Sequence, residues 1–477
     1  MIIKEFLTDK KNIILILLVF LLAVFSFWHL SSSPATWMDE GINIGIAKSL
    51  VTSGVYSLEV SPDNFVAQRP FLITTNYPVL LPVAFFVKLF GFNLFWTRVV
   101  MIIFIFLFAG AFFKLSKDLY SKEAAIMALA LIVSFVPFYG NGKAVLGEVP
   151  GLAYFLLGLI FLNKDFSFKR FFLAGLFFGL SMATKPFFLI IVPAVFLGEL
   201  YRYWKIRDNF WRRTLTLFLG AMLPVLAWIF SILPNISISG IVQMIGYYSN
   251  SYAAENFGQA IIKNVARFFT ESTPIHFAVL AFALLFFIFL KVRQKQNFKE
   301  AEVILFVFIF LTFLWYLKTP GWYRYFFPAH LLLFMFFPVA LFSIFKKKFV
   351  FFLILIAFFA QLAYLMSVIN NWLYDSNETL RLTSYIMEET PYESSVFIAN
   401  NPSAAFSLRD RQIYQYLRIN PELFFGTDSL KDKEGLYYEY IAIAPQETNG
   451  IYGLSELLEG SYQKIYEFGH YVLYKKI

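Results

Sequence analysis

The fold is decided by residues 13–41, IILILLVFLLAVFSFWHLSSSPATWMDEG, an apolar run that leads through a short Ser-Pro break into two adjacent carboxylates. The apolar part is long enough to cross a bilayer as a helix. A carboxylate at the mouth of such a helix must be solvated, paired or used, so Asp39 and Glu40 are candidate functional residues. The structural alternative is that Asp39 is the N-cap of a helix that starts at Glu40.

The composition is that of an integral membrane protein. Of the 477 residues, 59% are hydrophobic and 15% are charged, and the mean hydropathy is +0.65. Soluble domains carry about a quarter charged residues. The net charge of +9 does not indicate nucleic-acid binding, because the basic residues lie in short loops between apolar runs, where they set membrane topology. The chain has no cysteine, which excludes thiol catalysis, disulfides and Cys-ligated zinc.

The apolar runs predict a polytopic all-α membrane domain with about eleven transmembrane helices. Lys/Arg clusters precede the first run and follow every even-numbered run, so we place these ends in the cytoplasm, with the N-terminus inside and the C-terminus outside. We interpret the first run as a retained signal anchor. The runs cover residues 13–30, 94–113, 124–138, 150–162, 171–183, 187–200, 214–233, 274–290, 303–317, 325–344 and 349–368.

Two longer connections are predicted on the outer side. Residues 31–79 form the first outer loop, in which residues 42–50 are typical of a small-residue amphipathic helix lying along the membrane interface. Residues 77–90 follow as a proline-containing helix that is juxtamembrane or re-entrant rather than spanning. Residues 234–273 are predicted as a second long outer loop.

The composition changes near residue 371, where charged residues reach an ordinary frequency and the apolar runs shorten. We therefore predict a transmembrane catalytic domain, residues 1–370, followed by a small extracytoplasmic α/β domain, residues 371–477, which is large enough to hold its own core. The patterns predict a helix at 378–389, strands at 395–399 and 440–444, and a hairpin at 462–474.

The conspicuous polar residues all fall on the outer side of this topology. Besides Asp39, three of them have a structural alternative. Glu148 precedes a proline and suits the start of a helix, where the macrodipole favours a carboxylate. Lys185 suits a snorkelling interfacial lysine, and Arg324 suits a cation in an aromatic belt. The set is Asp39, Glu40, Arg69, Lys143 (in an outer loop at residues 139–143), Glu148, Lys185 and Arg324.

Their chemistry suits the transfer of a sugar from a lipid phosphate. Arg and Lys near a membrane surface suit a phosphate or pyrophosphate, and Arg can bind it bidentately. A carboxylate would take the proton of an acceptor hydroxyl or amine that attacks the anomeric carbon. The cations would stabilise the leaving phosphate.

Four short motifs resemble the GT-C membrane glycosyltransferases, in particular the group of protein O-mannosyltransferases and lipid A aminoarabinose transferases. The similarity covers about residues 1–368. Its topology is specific, whereas each motif alone is weak. The motifs are Asp39-Glu40 after the first span, Tyr77-Pro78-Val79-Leu80, Glu148 before the fourth span, and Arg324-Tyr325 with Pro328.

The resemblance implies roles for these residues. Asp39 is the expected catalytic base, with Glu40 shaping the site, and Glu148 is expected to bind or orient the acceptor. Lys185 and Arg324 are expected to bind the lipid phosphate. The family usually carries an Arg upstream of the second acidic position, and Lys143 stands nearby in this chain. The candidate substrate-binding set is Arg69, Tyr77, Lys143, Lys185, Tyr323 and Arg324.

The resemblance also implies the partners. The donor is expected to be a polyprenyl-phosphate sugar, and the acceptor an extracytoplasmic protein, lipid or glycan. The enzyme would be a hexosyl- or pentosyltransferase of the cell membrane, in contact with membrane lipids and not with nucleic acid. No cofactor is expected, although Asp39, Glu40 and Glu148 offer oxygen ligands for a divalent cation.

Two other functions use similar ligands. A transporter or flippase of lipid-linked sugars would place charges at the membrane midplane in broken helices and would show inverted repeats. The charges of this chain cluster at the outer ends instead. An O-antigen-ligase-like enzyme would have a large outer loop rich in Arg and His, and residues 234–273 carry only Lys263 and Arg267.

Overall fold

The computed structural model describes residues 10–66, 74–163, 165–207, 209–233, 237–250, 257–371, 378–408, 412–416, 430–432, 434–444, 451 and 453–477. Most of these residues are helical. A small five-stranded sheet follows the helices, and a two-stranded ribbon lies in the first long connection.

The helices are numbered in chain order. They are α1 Lys10–Phe27, α2 Met38–Thr52, α3 Tyr77–Phe90, α4 Leu94–Leu119, α5 Lys122–Val133, α6 Val136–Lys143, α7 Glu148–Leu162, α8 Phe168–Thr184, α9 Ile191–Ile206, α10 Phe210–Ile232, α11 Ile238–Asn250, α12 Phe257–Thr270, α13 Ser272–Arg293, α14 Glu300–Lys318, α15 Phe327–Phe342, α16 Lys347–Asn371, α17 Glu378–Glu389, α18 Pro402–Ser407 and α19 Leu454–Ser461. Short 3₁₀ helices are Pro186–Ile190 and Tyr323–Tyr325. The strands are β1 Glu59–Ser61, β2 Asn64–Phe65, β3 Ser395–Ala399, β4 Gln412–Tyr416, β5 Tyr440–Ile443, β6 Tyr462–Phe468 and β7 Tyr471–Lys476.

Each predicted apolar run coincides with a helix, which supports a multi-pass membrane protein. Among the residues that the structure describes, six helices are long and apolar enough to cross a membrane, or seven if α5 and α6 form one bent span. Four further apolar helices are shorter: Lys11–Phe27, Tyr77–Phe90, Glu148–Leu162 and Phe327–Phe342. The count of about eleven crossings and the sidedness remain predictions.

The third predicted run is broken. Helices α5 and α6 meet at an angle of 70°. Pro137 lies in the first turn of α6, where its missing N–H and fixed backbone end the preceding helix and start a new one. The prediction of an outer loop at residues 139–143 was wrong, because these residues form the second half of α6.

The prediction of a long loop at residues 234–273 was also wrong, because α11 and α12 lie within it. Asn264 of α12 is buried, and its side-chain amide donates to the carbonyl oxygens of Leu317 and Thr319, at 3.0 and 2.8 Å. These bonds satisfy carbonyl groups that the end of α14 would otherwise leave unpaired.

The C-terminal elements match their sequence patterns. Helix α17, strand β3 and the β6–β7 hairpin are confirmed, and β5 is one residue shorter than predicted. The strand order is β4-β3-β5-β7-β6, with β3 parallel to both of its neighbours and the other pairs antiparallel. Ile441 and Ile443 share one apolar face of the sheet, as their alternation predicts. Helix α18 and strand β4 were not predicted.

Glycines allow α8 and α10 to touch backbone to backbone. A Cβ at Gly175 would clash with the carbonyl of Leu217, and one at Gly220 would clash with the carbonyl of Phe172. Small residues at such spacing are typical of close helix pairs in membranes. This contact fixes α8, which ends immediately before Lys185.

Replacing Gly175 with Val is expected to destabilise the protein, because the new side chain has no room against the backbone of α10. Overpacking costs about 1–3 kcal/mol of unfolding free energy. Thermal unfolding of the purified protein in detergent measures this loss. The control is Gly110→Val on α4, since beyond the adjacent backbone of its own helix no atom lies within 4 Å of the position of its Cβ. Equal melting temperatures for the two variants would contradict the packing argument.

Charged residues gather at both ends of the helical bundle. At one end, Arg213 of α10 donates to Glu199 of α9 and to Glu300 of α14, and Lys291 of α13 pairs with Glu302 of α14 at 2.7 Å. These ends are the predicted cytoplasmic ones. The other end carries the candidate site.

Candidate active site

The candidate site begins with an ion pair between Asp39 and Arg324. Asp39 lies in the first turn of α2, after the N-cap residue Trp37, so the hypothesis that Asp39 is the N-cap was wrong. Arg324 comes from the 3₁₀ helix Tyr323–Tyr325 and donates from Nη1 to Oδ2 of Asp39. The Asp39 side chain is 20% exposed and that of Arg324 is 8% exposed, so the carboxylate is the more accessible partner.

A second ion pair joins Glu148 to Lys185. Glu148 is the first residue of α7, and Lys185 directly follows α8. Nζ of Lys185 donates to Oε1 of Glu148. A Cβ at Gly147 would lie 3.2 Å from Cβ of Lys185, so the small residue lets the start of α7 approach the end of α8. Lys185 is buried and paired, and therefore does not snorkel.

The two pairs form one electrostatic group. Burial opposes the charge of Arg324, but Asp39, Tyr325 and Glu148 together raise its pKa above the usual value, so the guanidinium stays charged. The charges alternate along Asp39, Arg324, Glu148 and Lys185. Four distant parts of the chain therefore supply one site with two carboxylates and two cations.

Aromatic rings surround the guanidinium of Arg324. Its Cζ lies 5.1 Å from the ring centroid of Trp37, 4.9 Å from that of Trp322 and 5.5 Å from that of Tyr325. Such contacts stabilise a cation where water is scarce. The buried Nε of Arg324 has no hydrogen-bond partner among the described residues, which leaves a donor for a ligand.

Glu40 forms a closed pair that the sequence did not reveal. Arg98 of α4 donates to it bidentately, from Nε at 2.8 Å and from Nη2 at 2.7 Å. The N–H of Val145 also donates to Glu40, and Nη1 of Arg98 donates to the carbonyl of Leu30. Both side chains are fully buried, so Glu40 joins α2 to α4 rather than facing a ligand. An Arg inside an apolar run was the available signal.

Lys143 occupies a buried position at the end of α6. Its Nζ donates to the carbonyl oxygen of Trp28 at 2.7 Å, and so joins the end of α6 to the end of α1. It lies close enough to Arg98 for the two cations to repel. Arg98 and Lys143 therefore help to hold together the ends of α1, α2, α4 and α6.

Two further candidates from the sequence, Tyr77 and Tyr323, use their hydroxyls in bonds to residues outside this group. Tyr77 donates its hydroxyl to the carbonyl of Pro224 at 3.2 Å, which links α3 to α10. The hydroxyl of Tyr323 is hydrogen-bonded to Nδ1 of the buried His330 at 2.9 Å and thus faces the helical core. Arg69 lies outside the described residues.

Asn76 is a further polar residue that the sequence did not reveal. Its backbone N–H donates to the carbonyl of Thr184, which places it beside Lys185. Asn76 is fully buried and is the N-cap of α3, yet its side chain does not cap that helix. Within the described ranges its amide has no hydrogen-bond partner. An unpaired buried amide is costly, so Asn76 is a candidate ligand-binding residue.

The carboxylates do not form a ready metal site. Across the part of the chain that the structure describes, no three His, Cys, Asp or Glu side chains come together as a ligand group. Asp39, Glu40 and Glu148 are instead each paired with a different cation.

Comparison with known proteins agrees with this architecture. A model of the family described as dolichyl-phosphate-mannose-protein mannosyltransferase matches residues 79–234. The fold is similar to that of ArnT from Cupriavidus metallidurans bound to undecaprenyl phosphate, with a TM-score of 0.65 and 11% identity over 97% of this chain and 98% of that chain. A search of curated proteins gave no match.

A second similar structure is the Archaeoglobus fulgidus oligosaccharyltransferase in its apo form. The TM-score is 0.57 at 12% identity, over 95% of this chain and 73% of that chain. The archaeal oligosaccharyltransferase AglB from Archaeoglobus fulgidus, in complex with an inhibitory peptide and a dolichol-phosphate, matches with a TM-score of 0.54 at 13% identity, over 98% of this chain and 75% of that chain. The chain thus has the fold of the GT-C membrane glycosyltransferases and resembles, within them, the protein mannosyltransferase and ArnT group.

Proposed function

We propose that the protein transfers a sugar from a polyprenyl-phosphate donor to an acceptor on the extracytoplasmic side of the cell membrane. The observation that carries the proposal is the convergence of Asp39, Glu148, Lys185 and Arg324 in two adjacent ion pairs. ArnT bound to undecaprenyl phosphate and AglB in complex with a dolichol-phosphate support a lipid-phosphate ligand by their similarity in fold.

Arg324 and Lys185 would bind the phosphate of the donor. Both cations are already neutralised by carboxylates, so the phosphate must bind through donors that remain. Arg324 offers its Nε, and Lys185 offers the hydrogens that Glu148 does not use. The bound phosphate competes with Asp39 for the guanidinium of Arg324, so the Asp39–Arg324 ion pair weakens. The carboxylate of Asp39 then becomes available to the acceptor.

The positions of these groups support the following reaction. A hydroxyl or amine of the acceptor attacks the anomeric carbon of the sugar, and its proton goes to the carboxylate of Asp39. The bond from that carbon to the phosphate oxygen breaks, and the polyprenyl phosphate leaves with the bonding electrons. Arg324 and Lys185 stabilise the charge that develops on it. Glu148, whose Oε2 has no partner in the described parts of the chain, would orient the acceptor.

The test measures transfer from radiolabelled polyprenyl-phosphate sugars in membranes that contain the wild type or a variant. The variants Arg324→Gln and Lys185→Gln are expected to raise the donor KM about ten- to a hundredfold each, because each loses a charge-assisted hydrogen bond to phosphate. The control is Lys205→Gln, an exposed lysine at the far end of α9. Its donor KM is expected to stay unchanged.

Two outcomes would contradict the proposal. One is a wild type that moves intact lipid-linked sugar across vesicles without cleaving the sugar–phosphate bond, which would favour the transporter. The other is equal loss of donor binding in all three variants, which would indicate a general charge effect rather than a phosphate site.

A further inference from the structure

The C-terminal part of the chain touches the helix that carries Asp39. Helix α18 lies across the first turn of α2, where Gly41 faces the backbone of Pro402 and Ser403. A Cβ at Gly41 would clash with the backbone nitrogen and with the hydroxyl oxygen of Ser403, so the two helices can approach this closely only because residue 41 has no side chain. This contact lies next to Asp39 and Glu40 in the same helical turn.

A hydrogen bond adds to this contact. The hydroxyl of Ser403 donates to the carbonyl oxygen of Trp37 at 3.2 Å. Trp37 is the N-cap of α2, and its ring lies over the guanidinium of Arg324. Ser403 therefore holds the residue at which the helix of Asp39 begins.

Two further contacts hold the same pieces together. The side-chain amide of Gln415 in β4 donates to the carbonyl of Glu59 in β1 at 2.8 Å. Phe406 of α18 is buried in the apolar cluster formed by α2, α3 and α4, and its ring lies 6.5 Å from that of Phe92. The C-terminal part is thus attached at a backbone contact, two hydrogen bonds and an apolar anchor.

The first turn of α2 has no side-chain cap of its own, and Glu40 in that turn is held from outside the helix by Arg98. Trp37 has no side-chain oxygen to cap the helix, and no side-chain cap bond is formed. An uncapped first turn frays, because its N–H groups have no partner. Asp39 lies in that turn, and displacing a catalytic group by about 1 Å can cost a hundredfold in rate.

We infer that α18 positions Asp39: Gly41 and Ser403 are positioning residues through which the C-terminal part of the chain holds the first turn of α2 in its reactive place. The inference rests on the proposed sugar transfer. The phosphate-binding residues Lys185 and Arg324 lie on other elements, so undocking α18 slows transfer while the donor still binds.

The test compares Gly41→Ala with Gly45→Ala one turn further along α2. A Cβ at Gly45 would meet only Cδ1 of Leu58, the end of a flexible side chain. Gly41→Ala is expected to lower kcat at least roughly tenfold, with the donor KM within about twofold of wild type. Gly45→Ala is expected to keep the wild-type kcat.

A second, less disruptive pair of variants tests the same role in case Gly41→Ala does not fold. Ser403→Ala removes the bond to Trp37 and is expected to lower kcat several-fold, whereas Ser403→Thr keeps a hydroxyl and is expected to restore it. The chain has no cysteine, so spin labels at Ser53→Cys and Glu388→Cys, both exposed, report the distance between α2 and α17. This distance distribution is expected to broaden in Gly41→Ala.

The outcomes distinguish a failure of the proposed sugar transfer from a failure of the positioning role alone. If the wild type transfers no sugar while the doubly labelled chain, otherwise wild type, gives a narrow distance distribution, the proposed function is overturned and this inference with it. If the wild type transfers sugar and Gly41→Ala and Ser403→Ala match its kcat, the positioning role alone is overturned. Loss of donor binding in step with kcat also overturns it, because α18 then supports the whole site.

Discussion

Replacing Asp39 with Asn is expected to lower sugar transfer by about a hundred- to ten-thousandfold, the range that a general base contributes. The amide has the shape of the carboxylate but cannot take the acceptor proton. Its oxygen can still accept a hydrogen bond from Arg324, so the donor is expected to bind as in the wild type. Single-turnover transfer from a labelled polyprenyl-phosphate sugar, with donor binding measured separately, tests this prediction.

The matched control is Asp63→Asn in the same predicted outer connection. Asp63 lies between β1 and β2 with a φ of 61°, a conformation that Asn adopts readily. The backbone N–H of residue 63 donates to Oε1 of Glu59 at 3.2 Å, and Asn retains this donor. Wild-type transfer is expected from this variant. Full activity of Asp39→Asn would remove the base from the mechanism and leave Asp39 as the partner of Arg324.

Replacing Arg98 with Met is expected to be the most destabilising single change in the helical part. It leaves the Glu40 carboxylate fully buried without its bidentate partner. Breaking a buried pair in this way costs about 3–5 kcal/mol of unfolding free energy. Thermal unfolding in detergent, together with the amount of protein that accumulates in membranes, measures the loss.

Two comparison variants isolate the contribution of the Glu40–Arg98 ion pair to the free energy of unfolding. Lys114→Met on the same helix removes an exposed partner of Asp118, and surface pairs contribute about 0–1 kcal/mol. The double variant Glu40→Leu/Arg98→Met removes both charges and is expected to regain much of the stability. A single Arg98→Met variant as stable as Lys114→Met would show that Glu40 finds another partner or becomes protonated.

Most of the helices and C-terminal strands could be predicted from the local pattern of apolar and polar residues. Apolar runs must be helical in a bilayer, because every backbone polar group has to be satisfied within the segment. Alternation assigned Ile441 and Ile443 to one face of β5 for an equally local reason. The failures lie where short elements depend on distant partners, as in α12, whose Asn264 binds the end of α14.

Only part of the candidate site could be predicted from the sequence. Asp39, Glu148, Lys185 and Arg324 stood out because a charge beside an apolar run is costly. Arg98 and Asn76 gave weaker signals, one inside an apolar run and one in a polar stretch, and neither was singled out. Tyr77 and Tyr323 were singled out, but their hydroxyls bond to Pro224 and His330, outside the group.

The sequence by itself determined the membrane class, the order of the helices and the chemical types of the charged residues at their predicted outer ends. These properties follow from hydropathy and charge placement, which act within one segment at a time. The tertiary structure decided which charges pair: Asp39 with Arg324, Glu40 with Arg98, and Glu148 with Lys185. It also decided that α18 rests on α2. Such pairings depend on the distance between elements far apart in the chain, and local pattern carries no information about that distance.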